Sequence, residues 1–165
     1  MPIVAADIDF RLSGGAANAD PDASLGGAKS SNEVGADLFD TVASGEASAG
    51  DTEYRCLYVH NSHATLTMLD AVIWIQSNTP STDSTLDIGA GTSAINGEEQ
   101  TVVNEGTAPS GVSFSAAANE GAAVVLGNIP PGQHKAVWVR RTISAAAAAY
   151  TGDGGTIRVK CDTLA

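Results

Sequence analysis

The strongest constraint on the fold of this chain is a series of short β-type segments that turn signals separate from one another. Most are rich in β-branched or alternating apolar residues, and Gly, Pro, Asn or Ser bounds each of them. This spacing predicts an all-β fold, either an antiparallel β-sandwich or a barrel, and we expect a sandwich of the jelly-roll or immunoglobulin-like type. The predicted strands span residues 3–12, 54–59, 65–75, 85–88, 100–103, 112–115, 122–129, 134–143 and 157–161.

Two of these segments indicate how the strands are buried. In residues 134–143, Ala136 and Trp138 alternate with Val137 and Val139, which is typical of a strand with apolar residues on both faces. Residues 65–75 also have apolar residues on both faces. Such a strand is either central in the fold or covered on its second face by a partner.

A long segment of different composition separates the first strand from the second. Residues 13–50 are rich in Gly, Ala, Ser and Asp, and their apolar islands include Leu25, Leu38 and Phe39. Structureless loops of this length are uncommon inside a compact domain. We therefore predict an N-terminal strand (1–12), an extended arm or loop (13–50) that docks on a neighbouring subunit through these islands, and a sandwich body (51–165), all within one domain. A run of alanines at 145–149 predicts one helical turn at most.

Charge and hydropathy exclude several classes of partner. The 165 residues include 8 Lys and Arg against 19 Asp and Glu, for a formal net charge of −11. Nucleic acids and anionic membranes both attract basic surfaces, so we expect neither as a partner. No stretch approaches the roughly 20 apolar residues of a membrane span, and the N-terminus lacks the features of a signal peptide. We expect synthesis in a cytoplasm.

Residues that often carry catalysis or bind metals are present without the required spacing. His60 and His63 flank a turn and have no neighbouring Cys or carboxylate at zinc-ligand spacing. The acidic pairs Asp20/Asp22 and Asp83/Asp87 do not match the twelve-residue calcium loop, and the Gly-rich turns lack the Lys of a phosphate loop. We therefore expect no catalytic residues, no resident metal and no cofactor, and we do not expect an enzyme.

Cysteines and aromatic residues each leave two interpretations open. Cys56 and Cys161 are expected to be buried thiols, whereas a disulfide between them would require an oxidising destination. The aromatic side chains either belong to the core or, if exposed, stack on sugars in a receptor- or glycan-binding module. The aromatics considered for such stacking are Tyr54, Tyr58, Trp74 and Trp138.

Five of the eight basic residues crowd two strands near the C-terminus. They are Lys135, Arg140, Arg141, Arg158 and Lys160. One interpretation is a solvated strand face with internal salt bridges. The other is an electropositive patch that receives an acidic patch of another subunit. Arg140 and Arg141 point to opposite faces of one strand, so at least one of them should be paired or at an interface.

Several motifs in this order resemble small virion structural proteins of tailed bacteriophages. They are residues 12–15 (LSGG), 25–27 (LGG), 50–56 (GDTEYRC), 72–75 (VIWI), 129–133 (IPPGQ) and 137–143 (VWVRRTI). The resemblance implies a non-enzymatic particle component that decorates or cements the capsid, with the major capsid protein or other virion proteins as partners and a homo-oligomeric state. A neck, tail or baseplate component is the alternative within the same virion.

Overall fold

The computed structural model describes residues 2–163, which form seven β-strands and one short α-helix. Three short 3-10 turns, Ala5–Asp7, Pro21–Ala23 and Glu120–Ala122, complete the regular structure. In chain order the longer elements are β1 (Ile8–Leu12), α1 (Ser44–Ala49), β2 (Asp51–Asn61), β3 (Met68–Ser77), β4 (Ser84–Ala90), β5 (Val124–Ile129), β6 (His134–Ile143) and β7 (Thr156–Asp162). Within residues 2–163, no helix is long and apolar enough to cross a membrane.

The strands form two antiparallel sheets that pack face to face, so the predicted all-β sandwich is confirmed. The first sheet has four strands in the order β1-β2-β6-β4, and the second has three in the order β5-β3-β7. Strands β2 and β6 are the central pair of the larger sheet, with a register that runs unbroken from Asp51 opposite Ile143 to His60 opposite His134.

The principal core lies between the two sheets. Because side chains alternate along a strand, Leu57 of β2 and Val139 of β6 point towards the smaller sheet. There they meet Ile73 and Ile75 of β3, which are 0% and 2% exposed. β-Branched side chains suit these positions since they fill a pleated surface with little loss of rotamer freedom.

A second apolar cluster covers the opposite face of the β2–β6 pair. It contains Cys56, Tyr58 and Trp138, which are all 0% exposed. Loop residues supply the cover: Leu25, Val102, Val112 and Phe114 pack against this cluster. The central pair of strands is therefore buried on both faces, on one side by a sheet and on the other by loops of the same chain.

Residues 13–50 lie on the body of the protein and do not project from it. The Cys56 N–H donates a hydrogen bond of 2.7 Å to the Ser24 carbonyl. The Ser13 hydroxyl donates one of 2.8 Å to the Cys56 carbonyl. Farther along, the Val34 N–H donates to the Phe10 carbonyl of β1 at 2.8 Å. Strands β1 and β2 of the larger sheet thus satisfy part of the polar backbone of this Gly-rich segment.

Some predicted elements differ from those in the structure. Residues 100–103 and 112–115 are predicted as strands, but both are loop segments that pack on the outer face of the larger sheet. Residues 112–115 make one isolated bridge, between Ser115 and Ile88, and residues 100–103 make none with any of residues 2–163. The first strand begins at Ile8 because residues 5–7 form a 3-10 turn. A helix occurs at Ser44–Ala49 and none at the alanine run, where Ala146 has a φ of 60° and its N–H bonds to Ser48 of that helix at 3.2 Å.

The two cysteines are not bonded to each other. Cys56 lies in the cluster on the outer face of the larger sheet, whereas Cys161 of β7 packs towards the core between the sheets. Burial raises the pKa of the Cys56 thiol well above its ordinary value. The alternative of an intrachain disulfide is therefore not realised in this fold, because the two side chains occupy different layers.

The docking of residues 13–27 can be tested at Gly26. A Cβ at this position would lie 1.8 Å from the Gln100 carbonyl oxygen, and Gly26 has a φ of +95°. We expect Gly26→Ala to lower the free energy of unfolding by about 3 kcal/mol or more, as measured by urea denaturation. Gly15→Ala is the matched control: its φ is +118° but nothing lies within 4 Å of the added Cβ. The control should lose only about 1–2 kcal/mol. Equal losses would show that residues 13–27 do not dock as described.

Candidate docking surface

The three apolar residues predicted to dock on a partner pack within the chain. Leu25 covers the cluster on the outer face of the larger sheet. Leu38 and Phe39 are half-buried against the core between the sheets. Their apolar surface therefore stabilises the protein's own body.

Phe39 contacts two arginines at one end of the sandwich. Its ring centroid lies 4.8 Å from the guanidinium carbon of Arg141 and 5.5 Å from that of Arg55. A cation over an aromatic face is attracted by the negative face of the ring. Phe39 thus covers one end of the core, where it packs over the inward-pointing guanidinium groups of Arg55 in β2 and Arg141 in β6.

Carboxylates surround both arginines. Arg55 is 0% exposed, and its Nη2 lies 2.5 Å from Glu105 and 3.2 Å from Asp22. Arg141 donates from Nε to Glu53 and from Nη1 to the Asp40 carbonyl at 2.7 Å. A buried guanidinium needs such partners because it is costly to remove from water unpaired.

Arg55 was missed by the sequence interpretation, although a signal for it was present. It alternates with Leu57 and Val59 of the same strand, and those residues face the core between the sheets. An Arg on the inward face of an apolar strand requires acidic partners from other parts of the chain. Burial raises the pKa of Glu53 in this network, while the Arg141 guanidinium opposes that rise.

Lys135 and Arg140 are also engaged within the chain. The Lys135 ammonium donates to the carbonyls of Gly91, at 2.9 Å, and Ser93. Arg140 bonds to Asp87 at 2.6 Å and lies over the Phe114 ring at 5.1 Å. The predicted electropositive patch therefore divides: Lys135, Arg140 and Arg141 hold the body together, and only Arg158 and Lys160 lie on an open surface.

The open surface is the outer face of the smaller sheet. Along β3, Ile73 and Ile75 point into the core, so Val72 and Trp74 lie on the opposite face. Directly paired residues share a face, and the register pairs Val72 with Lys160 and Trp74 with Arg158. We name this surface, formed by Val72, Val125, Arg158 and Lys160, the β5–β3–β7 face; Trp74 adds little accessible area to it because its side chain is only 8% exposed.

Chemically, the β5–β3–β7 face combines exposed apolar and basic groups. Val125 is 68% exposed, and Val72, its partner in the register, lies beside it. Arg158 makes no ion pair with any of residues 2–163, and Lys160 pairs only with Glu120, whose side chain is 55% exposed. Exposed ion pairs contribute little to stability, so both cations are available to a partner. Strand β7 also forms one edge of its sheet.

The four aromatic residues considered for sugar stacking are largely inside the protein. Tyr58 and Trp138 are fully buried, and Tyr54 and Trp74 are 9% and 8% exposed. Stacking on a sugar needs an accessible ring face, which these four side chains do not offer. The core interpretation of these aromatics fits their positions better than the glycan-binding one.

A groove of about 1160 Å³ lies at the end of the sandwich near Phe39. Two of its carboxylates have backbone partners: Asp83 accepts from the Ala148 N–H and Asp153 from the Ser81 N–H, each at 3.0 Å. These bonds tie together the loops that line the groove. The remaining lining is mainly apolar, and Arg141 is held by Glu53 and Asp40 as described above.

The two histidines have structural partners of different kinds. Nδ1 of His60 in β2 lies 3.3 Å from Asp9 on the neighbouring strand β1, whereas Nδ1 of His63 accepts from the Leu66 N–H at 2.9 Å within a turn. Asp20 likewise accepts from the Asp22 N–H at 3.0 Å. His63 and Asp20 therefore stabilise local turns, and His60 connects two strands.

A polar cluster beneath these loops contains His134, whose pKa is shifted strongly. Tyr58 donates its hydroxyl to the Gly27 carbonyl at 2.6 Å and accepts from the Glu99 N–H at 2.9 Å. Burial alone would raise the pKa of Glu99, but hydrogen bonds from Ser93 and Thr92 hold that pKa at about 2. His134 contacts the Tyr58 ring edge-on at 4.7 Å, and burial lowers its pKa to about 4.

This histidine predicts a loss of stability in mild acid. Its pKa in the folded state is about 4, below the ordinary value of 6.5, so its stabilising contribution is present above pH 6.5 and is lost as the pH falls towards 4. We expect the unfolding free energy to fall by about 1–2 kcal/mol more in the native protein than in His134→Gln between about pH 7 and about pH 5, a discounted figure because the ring is partly solvated. Urea denaturation at the two pH values measures this difference. Parallel losses in both proteins would contradict it.

Comparisons with known proteins provide no relative from which a role could be transferred. No family model, no curated protein and no solved structure matches this chain. The case for a role of the β5–β3–β7 face therefore depends on its geometry and on the sequence motifs.

Proposed function

We propose that this chain is a non-enzymatic structural protein of a tailed-bacteriophage virion, and that it decorates or cements the capsid shell. The motifs of the sequence are one support for this proposal. The observation that carries it is the contrast between the two outer faces of the sandwich. The larger sheet is covered by loops of its own chain, whereas the β5–β3–β7 face carries exposed Val125, Arg158 and Lys160.

The chemistry of this face defines the partner that fits it. In a chain with a net charge of −11, two solvent-accessible cations beside an apolar patch favour a partner with an acidic and apolar surface. The major capsid protein of an assembled shell is the partner that we propose. The acidic remainder of the surface keeps copies of the protein soluble before they bind, since like-charged molecules repel one another.

The rigidity of the body suits a cementing role. The β2–β6 pair is covered on both faces, and buried ion pairs close the end of the sandwich around Phe39. Such a body changes shape little on binding, so the binding free energy is not consumed in ordering loops. Under this proposal the protein is made in the cytoplasm of a bacterial host, forms a homo-oligomer and resides in the virion.

The abundance of the protein in particles distinguishes the two virion roles. Decoration predicts a ratio to the major capsid protein near one, or a simple fraction of one, in purified particles of the encoding phage. Quantitative mass spectrometry measures that ratio. A handful of copies in each particle would replace decoration with a neck, tail or baseplate role, and complete absence from particles would contradict any virion role.

The face itself is tested by removing its cations. We expect the double variant Arg158→Ala/Lys160→Ala to bind shells that lack the protein at least about tenfold more weakly than the native chain, because charged groups at an interface govern association and register. Cosedimentation with those shells at physiological ionic strength provides the measurement, and circular dichroism checks the fold.

A matched control changes the net charge by the same amount elsewhere. Val4 and Val103 are 54% and 86% exposed and lie outside the β5–β3–β7 face. Val4→Glu/Val103→Glu also lowers the net charge by two and should leave shell binding unchanged. Equal weakening in both variants would indicate a general charge effect. Normal binding with aggregation of the first variant would mean that the cations only protect the edge strand from pairing with other copies.

A further inference from the structure

The junction between α1 and β2 gathers three carboxylates that the functional proposal does not use. Glu46 lies on α1, and Asp51 and Glu53 lie two residues apart on one face of β2. Between the helix and the strand, Gly50 adopts a φ of +78°, which turns the chain back and brings Glu46 beside the strand. One carboxylate oxygen from each of the three residues lies within 4.8 Å of the others.

Glu53, a member of this group, carries one buried oxygen that has no partner. The residue is 1% exposed, and its Oε2 accepts a hydrogen bond from Arg141. Its Oε1 is inaccessible to solvent and has no hydrogen-bond donor among residues 2–163. A buried carboxylate oxygen without a donor is costly, so this atom points to a missing partner, and a cation shared with neighbouring carboxylates would supply one.

A neighbouring acidic group provides an internal comparison. Glu53 also lies within the same distance of Asp40 and Glu105. That second group already contains two guanidinium groups, since Arg55 pairs with Glu105 and Arg141 with Asp40. By contrast, Glu46 and Asp51 form no ion pair within residues 2–163. The negative charge at the α1–β2 junction is therefore only partly compensated.

We propose that Glu46, Asp51 and Glu53 bind a calcium ion at the α1–β2 junction. Calcium prefers carboxylate and carbonyl oxygens at about 2.3–2.6 Å, so oxygens that share one ion lie up to about 5 Å apart. The three carboxylates meet that condition, and the absence of His and Cys from the group disfavours zinc. Water and backbone carbonyls complete the coordination, which calcium tolerates in irregular geometry.

The ion would fasten the short helix to the sheet. Helix α1 has six residues, too few to be stable alone, and hydrogen bonds from Ala146 and Ala147 to its last turn hold it from one side. A calcium ion would add a link from Glu46 to β2 on another side. This inference concerns the protein's stability and is independent of a role in a virion.

Calcium binding can be measured directly on the full chain. After treatment with a chelator, isothermal titration with CaCl2 should show one site with a dissociation constant on the order of 10⁻⁴ M, and the melting temperature should rise with calcium as the folded state alone binds it. No heat of binding and no shift in melting temperature at millimolar calcium would overturn the proposal. An equal response to MgCl2 would overturn the assignment to calcium.

A variant and a matched control assign the ligands. Glu46→Gln/Asp51→Asn keeps the side-chain shapes and should weaken calcium binding at least about tenfold. Asp70→Asn/Asp162→Asn removes two exposed carboxylates outside the group, and Asp70 has a φ of 48°, which Asn tolerates. The control should bind calcium as the native chain does. Unchanged binding in the first variant, or equal weakening in both, would overturn the assignment.

Without calcium, the first variant should be at least as stable as the native protein, because it relieves repulsion among like charges. The melting temperature of the variant in the presence of chelator shows whether it still folds, because no calcium is bound under that condition. A calcium-dependent rise in melting temperature that persists in the variant would place the ion elsewhere.

Discussion

The pairing of β2 with β6 is the interaction on which the rest of the structure depends. Both strands are apolar on both faces, so each face of the pair must be removed from water. The smaller sheet covers one face. Residues 13–27 and the segment between β4 and β5 cover the other face. In a simple two-layer sandwich that second face would be exposed to solvent. The Gly-rich segment thus has a structural role: its small residues allow the backbone to approach the sheet closely, as at Gly26.

The second constraint is the placement of a few cations in an acidic chain. Arg55 and Arg141 are buried at one end of the sandwich, where carboxylates from distant segments and the Phe39 ring surround them. Removing one partner of such a network leaves a buried charge unpaired, which costs about 3–5 kcal/mol. These contacts leave Arg158 and Lys160 as the cations of the β5–β3–β7 face. The uneven distribution of cations, more than their number, distinguishes this face from the remainder of the surface.

Part of the candidate site was predictable from strand alternation. The exposure of Arg158 and Lys160 follows from the period of β7, because Ile157 and Val159 must face the core. The sequence did not predict that Lys135 and Arg140 bond within the chain, because their partners Gly91 and Asp87 are over 40 residues away. Leu25 and Phe39 were expected to dock on a partner, but they cover their own sheet. The α1–β2 carboxylates were not predicted either, because their grouping depends on a turn at Gly50 and not on any known spacing.

The sequence by itself determined the class of fold, the strands with strong alternation and the acidic character of the surface. These properties are local, because a period of two and a turn signal act over a few neighbouring residues. Only the tertiary structure decided which segments became strands and which became covering loops, as residues 100–103 and 112–115 illustrate. It also decided which charges found partners and which face stayed open. Those outcomes depend on contacts between residues far apart in the chain, which local patterns do not encode.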